Sequence, residues 1–278
     1  MNIMYCGDIN IEKGVLLSVL SLMKNVKEEL NIYILTINLK NDKYEIKGVT
    51  DCFINKLNNE IKSRNPNNNV TKFDITNLFE KELPIKNMNT RFTPCCMLRL
   101  FADEIPTIPS KILYLDNDVL CRKDCTDFYN QNIDNYEFAG VLDYYGKWFF
   151  KNRLLKFDYI NSGVMLLNMN LIKETKLFKQ CRKMCCEKQK FMPDQSAINK
   201  IAIKKKIAPR IYNEQRKLHD NTVFQHFTTS FRAFPILHTV TVKPWHIEEV
   251  HNKLKIKEYD DIFTEYQTIK QNIIMEEK

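Results

Sequence analysis

The run from Ile3 to Leu35 narrows the possible folds more than any other stretch of this chain. Ile3–Cys6 reads as a strand and Gly7-Asp8-Ile9-Asn10 as a polar loop. From Glu12 to Leu30 the apolar positions Val15, Leu16, Val19, Leu20 and Leu22 recur at helical spacing, and Leu30–Leu35 reads as a second strand. A strand, a helix and a strand in direct succession predict parallel neighbours joined by a right-handed crossover, the start of an α/β fold. Ligands of such sheets lie beyond the carboxyl ends of the strands, where Asp8 and Asn10 would fall.

A short buried strand is expected at Ile112–Asp116, bounded upstream by the breakers Pro106, Pro109 and Ser110. It delivers Asp116 and Asp118, separated by Asn117. Side chains alternate with period two, so near a strand end both carboxylates point the same way. Like charges that close repel unless a cation sits between them, and oxygen-ligated Mg²⁺ or Mn²⁺ suits such a pair. A polar turn after a strand is the plainer reading.

The rest of the chain continues the alternation. Asp51–Arg64 reads as a helix, residues 65–69 as a loop and Val70–Phe73 as a strand. Met97–Glu104, carrying Arg99, is expected to be helical. Phe138–Leu142 reads as a strand with Asp143 at its end, and Tyr159–Asn168 as another, with Gly163 allowing close backbone approach. A basic helix is predicted from Leu171 to about Lys188, and Pro193 opens a further one, where Asp194 stands at an N-cap position. Val223–Phe227 and Ile236–Lys243 look extended and lead to Lys243-Pro244-Trp245. From Leu254 the chain is charged with weak helical periodicity, so a domain over 1–250 and a helical tail over 251–278 are expected.

The chain has 278 residues, 44% hydrophobic and 27% charged, with a net charge of +8. That charge suits an anionic ligand or an anionic membrane surface. The basic residues are scattered and no nucleic-acid module is visible, which argues against nucleic-acid binding. No apolar run approaches the roughly 18 residues of a membrane span, and the N-terminus lacks the basic flank and small-residue site of a signal peptide. Nine cysteines, an odd number with adjacent pairs and no Cys-x-x-Cys, read as reduced thiols rather than a disulfide framework or zinc site. A cytoplasmic protein is expected, with peripheral contact at the inner membrane face.

Four motifs in sequence order carry a resemblance: Leu-Asp-Asn-Asp at 115–118, Tyr-Ile-Asn-Ser-Gly-Val-Met-Leu-Leu-Asn at 159–168, Pro-Asp-Gln at 193–195 and Lys-Pro-Trp at 243–245. Together they resemble glycosyltransferase family 8, the retaining, metal-dependent sugar-nucleotide transferases that include glycogenins and bacterial lipopolysaccharide galactosyl- and glucosyltransferases. The resemblance runs from Met1 to about His246. It implies a GT-A fold, an α/β/α sandwich on a mixed, mostly parallel sheet. It further implies transfer of glucose or galactose from a UDP-hexose to a hydroxyl of a glycan, glycolipid or protein acceptor.

Residue by residue, the resemblance assigns Cys6, Asp8 and Asn10 to the nucleotide. Arg99, Asn117, Asp143, Asn161 and Ser162 join them on the donor. It places Asp116 and Asp118 on the metal, Asp194 and Gln195 at the anomeric carbon, and Lys243 on the diphosphate with Trp245 packed behind it. The family more often has Ala where Cys6 stands. It also usually places a glycine in a His-x-x-Gly-x-x-Lys-Pro-Trp motif, and none lies between His226 and Lys243 here. The metal-ligating histidine is therefore open between His226, which ends a strand, and His238, five residues before Lys243; the reading leans to His226. An imidazole beside carboxylates favours Mn²⁺ over Mg²⁺. Trp148, Phe149 and Phe150 are candidates either to stack on an acceptor sugar or to pack a lid. A non-catalytic UDP-sugar-binding protein is the alternative, and a nucleotidyltransferase a third reading, although Cys6–Asn10 is not a glycine-rich phosphate loop.

Overall fold

In the computed structural model, which describes residues 1–40, 42–90, 93–145, 158–232 and 238–274, the chain begins with β1 (Asn2–Cys6) and α1 (Glu12–Asn25). The helix stops at Asn25, short of the expected Leu30, because the Asn25 amide turns back to the Ser21 carbonyl at 2.9 Å and across to the Cys121 carbonyl at 3.1 Å. β2 (Asn31–Thr36) follows, then a small hairpin of β3 (Leu39–Lys40) and β4 (Glu45–Ile46). α2 (Asp51–Arg64) starts where the Thr50 hydroxyl accepts from the Phe53 N–H at 3.1 Å, a side-chain cap of a free amide.

The remaining strands are β5 (Asn69–Asp74), β6 (Lys111–Leu115), β7 (Val119–Cys121), β8 (Phe138–Leu142), β9 (Ile160–Asn168), β10 (Lys205–Ile207), β11 (Phe224–His226), β12 (Ser230–Arg232) and β13 (His238–Val240). One seven-stranded sheet runs in the order β10-β8-β9-β6-β1-β2-β5. Its pairings are parallel except that β9 runs antiparallel to both β6 and β8. β7 and β11 pair antiparallel outside it, as do β12 and β13.

Alternation along the strands builds two cores. Ile3, Tyr5, Leu113 and Leu115 face α1 and α2, whereas Met4, Ile112 and Tyr114 face the other side. There they meet the 3₁₀ helix Pro94–Glu104 and the helices Leu177–Glu187 and Pro193–Ile201. Both faces are thus covered, the requirement for a largely parallel sheet, and the layers are those of the expected α/β/α sandwich.

The expected continuous helix from Leu171 is instead two, Met169–Thr175 and Leu177–Glu187. They break at Lys176, which adopts a left-handed conformation (φ 58°, ψ 30°) while its N–H caps the first helix on the Ile172 and Lys173 carbonyls. Periodicity alone does not reveal this, because both halves bury the same kind of face. Near the C-terminus the helix Asp260–Ile273 packs on α1 and α2, burying Ile262, Phe263 and Tyr266 in the core on that side. All nine cysteines are free. Among the described residues no helix is long and apolar enough to cross a membrane.

Candidate active site

Sheet register gathers the site. Leu115 in β6 stands opposite Val164 in β9, and Leu142 in β8 opposite Ile160. Because β9 runs antiparallel, its first residues lie at the same edge as the carboxyl ends of β6 and β8. Asp116, Asp143 and the Asn161–Gly163 segment therefore converge, beyond strand ends as the α/β rule requires.

Period two puts Tyr114 and Asp116 on the face covered by the 3₁₀ helix, and Arg99 of that helix reaches both. The guanidinium lies 3.9 Å from the Tyr114 ring centroid, and Nη2 donates to Asp116 Oδ1 at 2.9 Å. The Tyr114 hydroxyl donates to the same oxygen at 2.6 Å. Arg99 Nη1 donates to the Ser162 carbonyl at 2.6 Å, and Nε donates to the Cys96 carbonyl at 3.1 Å. Nε also lies 3.2 Å from Asp194 Oδ2, but its hydrogen is directed at Cys96, so that contact is ionic rather than a hydrogen bond. Asp194 is not an N-cap. It sits inside the first turn of the helix that Pro193 opens, and burial pushes its carboxyl up against the opposing pull of Arg99.

Antiparallel pairing of β11 with β7 sets His226 opposite Val119, and the Phe227 N–H donates to the Asp118 carbonyl at 2.9 Å. His226 Nε2 then lies 3.2 Å from Asp118 Oδ1 and 3.7 Å from Asp116 Oδ2. One ligand atom from each of Asp116, Asp118 and His226 lies within 4.8 Å of the others. Lys243 Nζ donates to Asp118 Oδ2 at 2.5 Å. Burial pushes the Asp118 carboxyl up, but Lys243 and His226 outweigh it and hold it well below the usual carboxylate range. Two carboxylates and one imidazole nitrogen converging on one point form a donor set that fits a divalent ion of the Mn²⁺ or Mg²⁺ kind. Gly163 makes room for the ring, since a Cβ there would stand 2.2 Å from His226 Cε1. His238 lies in β13, paired with Arg232 of β12.

A second network lies beside the first. Asn161 Nδ2 donates to Asp143 Oδ2 at 2.9 Å, and Gln195 Nε2 to the same oxygen at 3.1 Å. Gln195 Oε1 accepts from the Ser162 N–H at 2.9 Å and its hydroxyl at 3.2 Å. Both ends of the Gln195 amide are therefore turned to protein partners. At the other side of the edge, the Asp8 carboxylate accepts from the Asn10 N–H at 3.0 Å and caps the 3₁₀ turn Ile9–Ile11, with Asn10 exposed and Cys6 partly buried at the end of β1. Asn117 and Trp245 close on α1 at Gly14, where a Cβ would meet the Asn117 amide at 2.6 Å and the Trp245 ring at 2.7 Å. Trp148, Phe149 and Phe150 lie outside the described residues.

Sequence reasoning missed Tyr114, although its spacing from Asp116 was the signal. It also missed Asn213 and Gln215, buried residues on no predicted element. Asn213 Nδ2 donates to Asn161 Oδ1 at 3.0 Å, and Gln215 Oε1 accepts from the Tyr144 N–H at 3.0 Å.

A mixed α/β/α sheet with paired carboxylates beyond its central strand is the GT-A architecture of glycosyltransferases, and solved structures agree. LgtC, a galactosyltransferase solved with donor and acceptor sugar analogs, is 16% identical with a TM-score of 0.63, covering 94% of this chain and 100% of that one. The apo WbbM bifunctional glycosyltransferase is 15% identical with a TM-score of 0.64, covering 95% of this chain and 51% of that one. A candidate glycosyltransferase of Haemophilus influenzae is 25% identical over 187 residues, 65% of this chain. The match spans 52% of that curated relative, about half its length. The sequence model of Glycosyl transferase family 8 matches residues 2–249, and the chain belongs to that family.

Proposed function

We propose that this chain is a retaining, metal-dependent hexosyltransferase that moves glucose or galactose from a UDP-sugar to an acceptor hydroxyl. The observation that carries this reading is the convergence of Asp116, Asp118 and His226, with the Lys243 ammonium against Asp118. A divalent ion held there, Mn²⁺ in preference to Mg²⁺, would place positive charge on the diphosphate as the glycosidic bond breaks. Lys243 adds a second positive charge at the same place. Cys6, Asp8, Asn10 and Asn117 border the nucleotide in this reading, while Arg99, Asp143, Asn161 and Ser162 border the hexose.

Asp194 and Gln195 form the floor of the reacting centre and act by holding Arg99, Ser162 and Asp143 in place. Asp194 is buried against a guanidinium, a setting for orienting charge rather than for forming a bond to sugar, so a same-face displacement is the mechanism we assign. The acceptor is a glycan, glycolipid or protein hydroxyl, and a glycolipid would bring the enzyme to a membrane surface. LgtC, with its donor and acceptor sugar analogs, supports a sugar-to-sugar reaction on this fold.

The experiment is a donor screen that measures UDP release from a panel of UDP-sugars with Mn²⁺ present. UDP-glucose or UDP-galactose should be turned over, and chelation should abolish the reaction. Binding of UDP-sugar without turnover of any donor, with acceptor glycans supplied, would favour the non-catalytic binding protein instead. Asp194→Ala and Gln195→Ala should each lower turnover by roughly 10²-fold while UDP affinity hardly moves. Loss of UDP binding with turnover preserved would show that these residues are misplaced.

A further inference from the structure

Asn213 is fully buried and touches the site through Asn161. We infer that Asn213 is a positioning residue for the donor sugar, fixing which end of the Asn161 amide faces Asp143. The inference rests on the placement of Asn161 and Asp143 beside the hexose proposed above.

Asn161 Oδ1 accepts two hydrogen bonds, from Asn213 Nδ2 and from the Gly163 N–H, each at 3.0 Å. Its Nδ2 is thereby directed at Asp143 Oδ2, 2.9 Å away. Turning that amide over would set an NH₂ group against two donors and a carbonyl against a carboxylate. Asn213 cannot turn over either, because its own Oδ1 would then face Asn161 Oδ1. The arrangement leaves Asn213 Oδ1 buried with no hydrogen-bond partner among the described residues. An unpaired buried acceptor costs stability, so packing alone gives no reason for an amide here. The backbone is fixed to match. Gln215 Nε2 donates to the Asn213 and Leu142 carbonyls, both at 3.3 Å, and so ties Asn213 to the strand end from which Asp143 projects.

The test is Asn213→Asp, which keeps the shape but replaces the donor facing Asn161 with an acceptor. Two readouts are needed. Amide hydrogen exchange at Gly163 should accelerate by about tenfold or more, because Asn161 turns and the Gly163 N–H loses its acceptor. Affinity for the UDP-hexose should fall about tenfold or more while affinity for UDP changes by less than about threefold, since only the sugar side is disturbed. Should the Asp variant fail to fold, Asn213→Ala carries the affinity readout, since the Gly163 N–H and Asp143 still orient the Asn161 amide when that donor is gone. Unchanged exchange at Gly163 in a folded Asn213→Asp variant overturns the inference. So does a fall in UDP and UDP-hexose affinity by the same factor, which marks a merely structural role. If the wild-type protein does not distinguish UDP-hexose from UDP, the donor reading fails instead, and Gly163 exchange still decides whether Asn213 holds Asn161.

Discussion

A Cβ at position 163 would stand 2.2 Å from His226 Cε1 and 3.0 Å from Asp116 Oδ2, so Gly163→Ala drives the imidazole off the carboxylates. The backbone there is not left-handed; glycine is needed for close approach, not for its φ. Calorimetric titration should show Mn²⁺ affinity reduced at least about tenfold in this variant, and unchanged affinity would mean the ion binds elsewhere. The same ring makes metal binding depend on pH. Burial alone would lower the His226 pKa, but the Asp118 and Asp116 carboxylates outweigh it and hold it above the ordinary value of about 6.5. A proton must leave before a metal can bind, so Mn²⁺ affinity should rise as pH increases through that range. For the metal-free protein the sign is opposite: the raised pKa contributes stability at low pH that is lost as pH rises through the folded value. Metal affinity that is flat from pH 6 to pH 8 would contradict this. At this scale Asp116 and Asp118 were legible as a pair from their spacing, although β6 ends at Leu115. The two carboxylates lie in a polar turn closed by the Val119 N–H on the Asp116 carbonyl at 3.1 Å rather than alternating along a strand. The hold of Arg99 on Asp116 and Ser162, and of Asn213 on Asn161, joins residues far apart in sequence, so no spacing announces it.

Among the elements, the short strand β11 does the most for the site, since its pairing with β7 brings His226 to Asp118. The sequence offered that strand and the one at His238 on similar terms, and only the pairing distinguishes them. The C-terminal helix supports β11 indirectly. Phe227 packs edge-on to Tyr259 at 6.1 Å, and Tyr259 meets Phe263 at the same distance. Phe263 is buried between that helix and the rest of the core, so Phe263→Ala should cost about 3 kcal/mol in urea unfolding. A change below about 0.5 kcal/mol would show that the helix is not integral to the fold. Charge dominates the composition of this stretch and obscured its buried face, whereas the helix at Pro193 and the strand at Ile160 were plain from breakers and apolar runs. The break at Lys176 had no such signal, because a left-handed lysine is set by capping geometry and not by residue type.

Across the whole molecule, strand order decides where chemistry can occur. Two consecutive antiparallel pairings in an otherwise parallel sheet bring the start of β9 to the strand ends where β6 and β8 present their carboxylates. The opening strand–helix–strand run revealed the fold class, and four motifs indicated the family. The proposed function depends on Asp116, Asp118 and His226 together holding a divalent ion. Pulsed electron paramagnetic resonance on the Mn²⁺-loaded protein with UDP tests it directly. The spectrum should show coupling to one histidine nitrogen that vanishes in His226→Ala and survives in His238→Ala. Coupling that persists in His226→Ala, or no nitrogen coupling in the wild type, would contradict it.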